Sequence, residues 1–215
     1  MEKIRCGNYE IIKFIFNPIK VNCYVLNLDN ETIVVDPGNS NTVETNLLIE
    51  AIKSENLTIF NTHGHVDHIF GNAILKEKFK SAKLIIHALD REKLQDPHKN
   101  YSINLGVEVI SPDADVVIEG EESEYIVGNT KFKILHTKGH TLGSVSIVGN
   151  GFVFTGDTLF NGTVGIAKEY PNAFNDLIVS IKTKLIPLGD NYIVLPGHGE
   201  NTTILEERES NPFLQ

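Results

Sequence analysis

The chain has 215 residues, enough for one large domain, and its 41% hydrophobic and 22% charged composition without a low-complexity tract is that of an ordinary globular protein. A net charge of −9 argues against the basic stripe of a nucleic-acid binder, and no apolar run approaches the roughly 18 residues that span a bilayer. Cys6 and Cys23 are too few for a disulfide framework and are not spaced as a metal-binding pair, so they read as structural thiols of a reducing cytoplasm.

The first residues, Met1 to Cys6, carry no hydrophobic stretch ahead of a small-residue cleavage site, so no signal peptide is expected. Residues 9–16, 20–27 and 32–36 are rich in β-branched and aromatic side chains and are separated by Asn-Pro and Asp-Asn turn signals, which predicts three strands. Asp36-Pro37-Gly38 breaks the third. Val43, Leu47, Leu48, Ala51 and Ile52 recur at helical spacing and predict a helix over 42–54. A strand at 57–60, a helix over 68–79 and a strand at 83–87 follow, and then a polar, turn-rich stretch from 96 to 114. Strands resume at 115–118, 124–127, 131–136, 144–149 and 152–155, with a helix over 173–186 and a last strand at 192–195. No Pro/Gly/Ser linker divides the chain, so residues 1–215 read as a single domain. The pattern fits two packed sheets covered by helices, although periodicity alone does not select that layout over other α/β arrangements.

The chemistry is concentrated at strand ends. Thr62-His63-Gly64-His65-Val66-Asp67-His68 follows the strand at 57–60, and three imidazoles with a carboxylate in six residues are the ligand types of zinc or a similar first-row cation. Side chains two apart in an extended loop point the same way, so His63 and His65 can share one ion while Asp67 and His68 serve a second. Gly64 is expected to let the loop turn tightly. His140 in Gly139-His140-Thr141, Asp157 in Gly156-Asp157-Thr158 and His198 in Gly197-His198-Gly199 each sit at a strand end beside glycine. Singly, each has a mundane reading as a turn or capped loop residue; their conjunction with the first cluster is what points to metal. Of the other histidines, His136 reads as a packing residue, His87 as structural or a pocket wall and His98 as an exposed loop residue, while Lys138 and Lys168 read as surface lysines.

His-X-His-X-Asp-His followed by a distal His, Asp and His resembles the metallo-β-lactamase superfamily, and within it the short, single-domain glyoxalase II-like branch. Asp36-Pro37-Gly38, Gly143-Ser144, Thr155-Gly156-Asp157-Thr158-Leu159-Phe160 and Thr202-Thr203 with Asn211-Pro212-Phe213-Leu214 extend the likeness over nearly the whole chain. The resemblance implies a four-layer αββα sandwich holding two divalent ions, with zinc first and iron or manganese as other candidates. One ion would lie on His63, His65 and His140 and the other on Asp67, His68 and His198, bridged by Asp157. Two departures bear on the substrate. Only 17 residues follow His198, so the helical C-terminal domain of full-length glyoxalase II is not matched; and Gly165-Ile166-Ala167-Lys168 stands where relatives usually continue Gly-Arg-Ser/Thr-Asp.

The activity this implies is hydrolysis of a small thioester by a hydroxide shared between the ions. A thiolate leaves without strong acid assistance, which suits a set whose one candidate for proton transfer beyond bound water is Asp67. A mononuclear-iron persulfide dioxygenase, with iron on His63, His140 and Asp157, is the alternative; a lactonase is a more distant one.

Overall fold

Strands form where the β-branched runs lie. The computed structural model describes residues 1–38 and 42–215. Its first sheet contains β1 (Glu2–Cys6), β2 (Tyr9–Phe16), β3 (Val21–Asn27), β4 (Thr32–Val35), β5 (Leu57–Phe60), β6 (Lys83–His87) and β7 (Val116–Ile118), side by side in that order. Strands β1 to β4 pair antiparallel, and β4 to β7 run parallel. The second sheet is built from β8 (Glu122–Val127), β9 (Thr130–His136), β10 (Val145–Val148), β11 (Phe152–Gly156), β14 (Ile193–Pro196) and β15 (Thr202–Thr203), in the order β15-β14-β11-β10-β9-β8. Only β11 and β14 are parallel there. Between them in the chain, β12 (Leu159–Phe160) and β13 (Thr163–Val164) make a separate hairpin.

Side-chain alternation turns these sheets into layers. In β4, Ile33 and Val35 join the core between the sheets, whereas Val34 points to the other face. That middle core sets Ile11, Tyr24, Leu26 and Phe60 against Phe132, Ile134, Ile147 and Phe154. The outer face of the first sheet is covered by α1 (Thr42–Ala51), the single turn α2 (Val66–Ile69) and α3 (Asn72–Lys78), through Leu48, Ile69 and Leu75. On the second sheet, α4 (Ala173–Ser180) and α5 (Ile204–Ser210) bury Leu177 and Ile204 against Leu135, Val153 and Val194. The result is the four-layer αββα sandwich that the resemblance implies. Cys6 and Cys23 are buried free thiols within it. No helix among the described residues is long and apolar enough to cross a membrane.

Several boundaries differ from the periodicity. The helix expected over 68–79 is two pieces, and at the break the Gly71 amide donates to the Pro37 carbonyl at 2.7 Å, outside the helix, while a side chain at Gly71 would collide with that carbonyl. The helix expected over 42–54 stops at Ala51, and the one over 173–186 passes after Ser180 into a π turn, Ile181–Leu185, and a 3-10 turn, Ile186–Leu188. Two more 3-10 turns, Ala88–Leu94 and Ser102–Leu105, lie where no regular element is expected.

The carboxyl ends of β4, β5, β11 and β14 meet along one edge of the sandwich, the place where open α/β sheets leave a crevice for ligands. The loop after β14 is tied across to the first sheet. Tyr24 donates its hydroxyl to the Pro196 carbonyl at 2.7 Å, Asn22 donates to the Pro196 and Gly199 carbonyls, and buried Lys13 donates to the Gly199 carbonyl at 2.7 Å.

Candidate metal centre

Residue His65 is the N-cap of α2 with an extended ψ of 150°, and the chain turns helical immediately after it. That change of direction separates the two halves of the histidine cluster. His63 and His65 project from the extended segment to one point, and Asp67 and His68 project from the helical turn to another.

At the first point, Nδ1 of His65 lies 3.1 Å from Nε2 of His63 and 2.9 Å from Nε2 of His140. Each of these rings has its other nitrogen committed. His63 Nδ1–H donates to Thr62 Oγ1 at 3.1 Å, and that hydroxyl donates onward to Asp36 Oδ2. His65 Nε2–H donates to Glu169 Oε1 at 2.6 Å, and His140 Nδ1–H donates to the Ile166 carbonyl at 2.7 Å. These outward partners, all acceptors, assign the protons outward and leave three lone pairs facing one another. Such a convergence is repulsive unless a cation lies within it.

At the second point, His198 Nε2 is 3.2 Å and His68 Nε2 3.6 Å from Asp67 Oδ2. Asp157 stands between the halves: its Oδ1 is 3.4 Å from His68 Nε2, and its Oδ2 is 3.5 Å from His140 Nε2 and 3.6 Å from His198 Nε2. His68 Nε2 and Asp157 Oδ1 are buried and have no hydrogen-bond partner, an uncompensated pair that a divalent ion would satisfy. Three ligand groups are compact enough to hold ions: His63, His65 and His140; His63, His68 and Asp157; and Asp67, His68 and His198. The donor set therefore fits the metals that the motif implies. All seven residues expected from the sequence lie together.

Electrostatics prepare the two halves differently. Burial, then the neighbouring His68 and His140, hold His63 well below the usual imidazole pKa; burial also lowers His140, so both are neutral and ready to ligate. Burial works against the charge on His68, but Asp67, Asp157 and Asp36 outweigh it and push that imidazole up to about 10. Asp67 is likewise opposed by burial, yet His68 and His198 hold its carboxyl well below the usual carboxylate range. Asp67 is thus ionised at neutral pH and accepts a hydrogen bond from His198 rather than donating one.

Carboxylates behind the histidines fix the frame. Asp36 accepts from the Thr62 amide and hydroxyl and from His68 Nδ1–H, at 2.7, 2.7 and 2.9 Å. Fully buried Asp90 accepts from the Gly64 amide, the Thr141 hydroxyl and the Gly143 amide, locking the His63 loop to the His140 loop. Gly64 is needed for this approach, not for a tight turn: a Cβ there would lie 2.5 Å from Cβ of Lys93. Asp90, Lys93 and Glu169 were not among the residues expected from the sequence, being single charged residues on a 3-10 turn or loop. His87 and His136 stack at 4.2 Å, with His136 donating to the Leu142 carbonyl, and neither belongs to a ligand group. His98 and Lys168 are exposed, and Lys138 pairs with Asp176 at 3.2 Å.

Comparison with known proteins bears on the family. The family model of the metallo-beta-lactamase superfamily matches residues 17–198. A probable metallo-hydrolase of Bacillus subtilis, YqgX, is 36% identical over 203 residues, covering 92% of this chain and 93% of its own. The hydroxyacylglutathione hydrolase GloC of Haemophilus influenzae is 33% identical over 217 residues, covering 96% of this chain and 98% of its own. Among solved structures, the B3 metallo-beta-lactamase BLEG-1 superposes with a TM-score of 0.87 at 34% identity, over 95% of this chain and 99% of that one. With the ligand loops inside the matched segment and the sandwich shared with these proteins, the chain belongs to the metallo-beta-lactamase superfamily, whose fold binds metal ions.

Proposed function

We propose that the chain is a binuclear metal-dependent thioester hydrolase of glyoxalase II type acting on a small acyl thioester. The observation that carries the reading is the set of inward-facing lone pairs on His63, His65 and His140, continued through Asp157 to the uncompensated Nε2 of His68. Such a site would suit two adjacent cations. In this reading His63, His65 and His140 would hold one ion and Asp67, His68 and His198 the other, with Asp157 available to both. Zinc suits this nitrogen and oxygen set, as do iron and manganese.

Bound divalent ions would supply an activated water and polarise the scissile carbonyl at neutral pH. The protein's part is to orient and exclude. Thr62, Asp36, Glu169 and the Ile166 and Lys20 carbonyls fix the tautomer and tilt of each ring through its outward nitrogen. Besides serving as a ligand, Asp67 would be the carboxylate to take a proton from bound water. Among the described residues no side chain at the site is a strong general acid, which favours a thiolate leaving group, with its ordinary pKa near 8.5, over an amine. The GloC relative supports the thioester assignment. Ile166, Ala167 and Lys168 in place of Arg-Ser/Thr-Asp support a substrate other than hydroxyacyl-glutathione.

The test is metal content of the purified protein, with hydrolysis of S-lactoylglutathione and simple acyl thioesters and oxygen uptake with glutathione persulfide. About two ions per chain with thioester turnover is the expected result. About one iron per chain with oxygen consumed would replace this reading with the dioxygenase.

A further inference from the structure

An apolar groove opens beside the second ligand group. It has a volume of about 270 Å³ and is walled by Phe16, Ile19, Val66, Phe70, Leu105 and Val107, with Asp67 at its edge. Three of these side chains, Ile19, Leu105 and Val107, are 40%, 53% and 41% exposed, so the wall presents unpaired hydrophobic surface to solvent. Groove and ligand cluster share one helical turn. Val66 and Phe70, four residues apart on α2 and its C-cap, line the groove together. Between them in sequence, Asp67 meets His198 at 3.2 Å and His68 enters the ligand cluster. A molecule lying in the groove therefore has one end at the reacting centre.

We infer that this groove binds the acyl chain of the substrate and makes the protein selective for aliphatic acyl groups of several carbons. The inference rests on the carbonyl-hydrolase reading above and adds the substrate class. A thioester offers two arms, and the groove's chemistry chooses between them. Carrier thiols bear carboxylates, phosphates or amides that require charged or hydrogen-bonding partners. Among the described residues the wall supplies no cation. The one charged residue among them, Asp67, repels anions and is already engaged by His198, and the one side-chain amide among them, Asn17, donates to Glu44. An aliphatic chain needs no such partners and gains from covering the exposed wall. The volume, just below the usual range of ligand sites, suits a slender chain better than a bulky ring system.

Straight-chain carboxylates, the products of such a reaction, test the groove on the metal-loaded protein without requiring turnover. Calorimetric affinities for acetate, butyrate, hexanoate and octanoate should rise by up to about fourfold per added methylene, the factor for burying one CH₂ at about 0.8 kcal/mol, and level off when the groove is full. Val107→Asp and Leu105→Gln, both on the exposed rim, should flatten the rise. In parallel, kcat/KM for N-acetylcysteamine thioesters of the same acids should climb with the same dependence. Affinity independent of chain length overturns the inference, as does a stable dimer on sedimentation whose formation blocks octanoate, since a second copy would then own the groove. Length-dependent carboxylate binding with no thioester hydrolysed would keep the acyl groove and overturn the thioesterase reading instead.

Discussion

The Glu169 carboxylate accepts the Nε2 proton of His65 at 2.6 Å, and Lys93 Nζ holds both of its oxygens from behind at 2.9 Å. Burial disfavours the charge on Glu169, but His65 and Lys93 overcome it and hold the carboxyl down at about 2. Because His65 offers Nδ1 to the ligand cluster, the bond to Glu169 sets both its tautomer and its tilt. Removing such a support behind a ligating histidine typically costs 10–100-fold in metal affinity. Glu169→Ala is expected to reach the upper part of that range, and Glu169→Gln, which can still accept the N–H bond, the lower part. A chromophoric chelator competition on each variant reads the affinity, with circular dichroism to confirm the fold. Unchanged ion uptake in both would remove Glu169 from the site's machinery.

Asp36 plays a different part, because its partners are buried with it. It is 2% exposed, adopts a left-handed φ of 51°, and receives three donors from the segment that carries the ligands. In Asp36→Ala the Thr62 amide, the Thr62 hydroxyl and His68 Nδ1–H all lose their acceptor, and each stranded buried donor costs about 1–3 kcal/mol before relaxation. The expected loss is about 3 kcal/mol or more, read as a lower denaturant midpoint for the ion-free protein. A loss below about 1 kcal/mol would show that other groups satisfy those donors.

These two carboxylates mark how far the sequence could be read. Five of the seven ligand candidates, His63, His65, His140, Asp157 and His198, stand out because each lies beside glycine after a β-branched run, and Asp67 and His68 stand out by following His63 and His65 directly. Val34, Ile59 and Val153 likewise declare strands by their β-branching. Glu169 and Asp90 carry no such signal: they matter because the loop after β13 and the 3-10 turn after β6 swing back to the site, a long-range fact without local periodicity. Strand β1 has only Ile4 and Cys6 to alternate, and it forms by pairing with β2. Helix α5 was legible in principle, since Thr203 and Glu206 make the reciprocal capping box that opens it. The split of the helix near Gly71 depends on the Pro37 carbonyl, which no local pattern announces.

Removing the ions should change how stability depends on pH. In the ion-free protein the His68 imidazole is raised to about 10 from an ordinary 6.5, chiefly by Asp67, Asp157 and Asp36 against the opposing effect of burial. A group that binds its proton more tightly when folded stabilises the fold fully below its unfolded pKa, and that contribution fades as pH rises toward the folded value. His198 is raised too and acts with the same sign. The melting temperature of chelator-treated protein should therefore fall between pH 7 and 9.5. Metal-loaded protein should not show this fall, because ligation requires His68 deprotonated and ion affinity grows with pH. A chelator-treated protein whose melting temperature is flat or rises over that interval would show that His68 is not protonated in the empty site.

Gly197 offers a test of the bridging role of Asp157 without altering any ligand. A Cβ at this position would lie 2.3 Å from Asp157 Oδ1 and 2.7 Å from His68 Cε1, the two side chains whose facing atoms lack hydrogen bonds. Both distances are far inside van der Waals contact, and the Gly197 amide is itself bonded to the Gly156 carbonyl at 2.8 Å, so the backbone cannot simply retreat. Gly197→Ala must therefore displace the Asp157 carboxylate, the His68 ring, or both. If Asp157 spans the two ions, the variant should retain fewer than two ions per chain and lose at least about 100-fold in kcat, in line with the cost of misplacing a reacting group by about 1 Å. The Asp157→Ala variant should show the same stoichiometry. Two ions per chain with full turnover in both variants would mean that Asp157 does not bridge, and that each ion is held by its own three ligands alone.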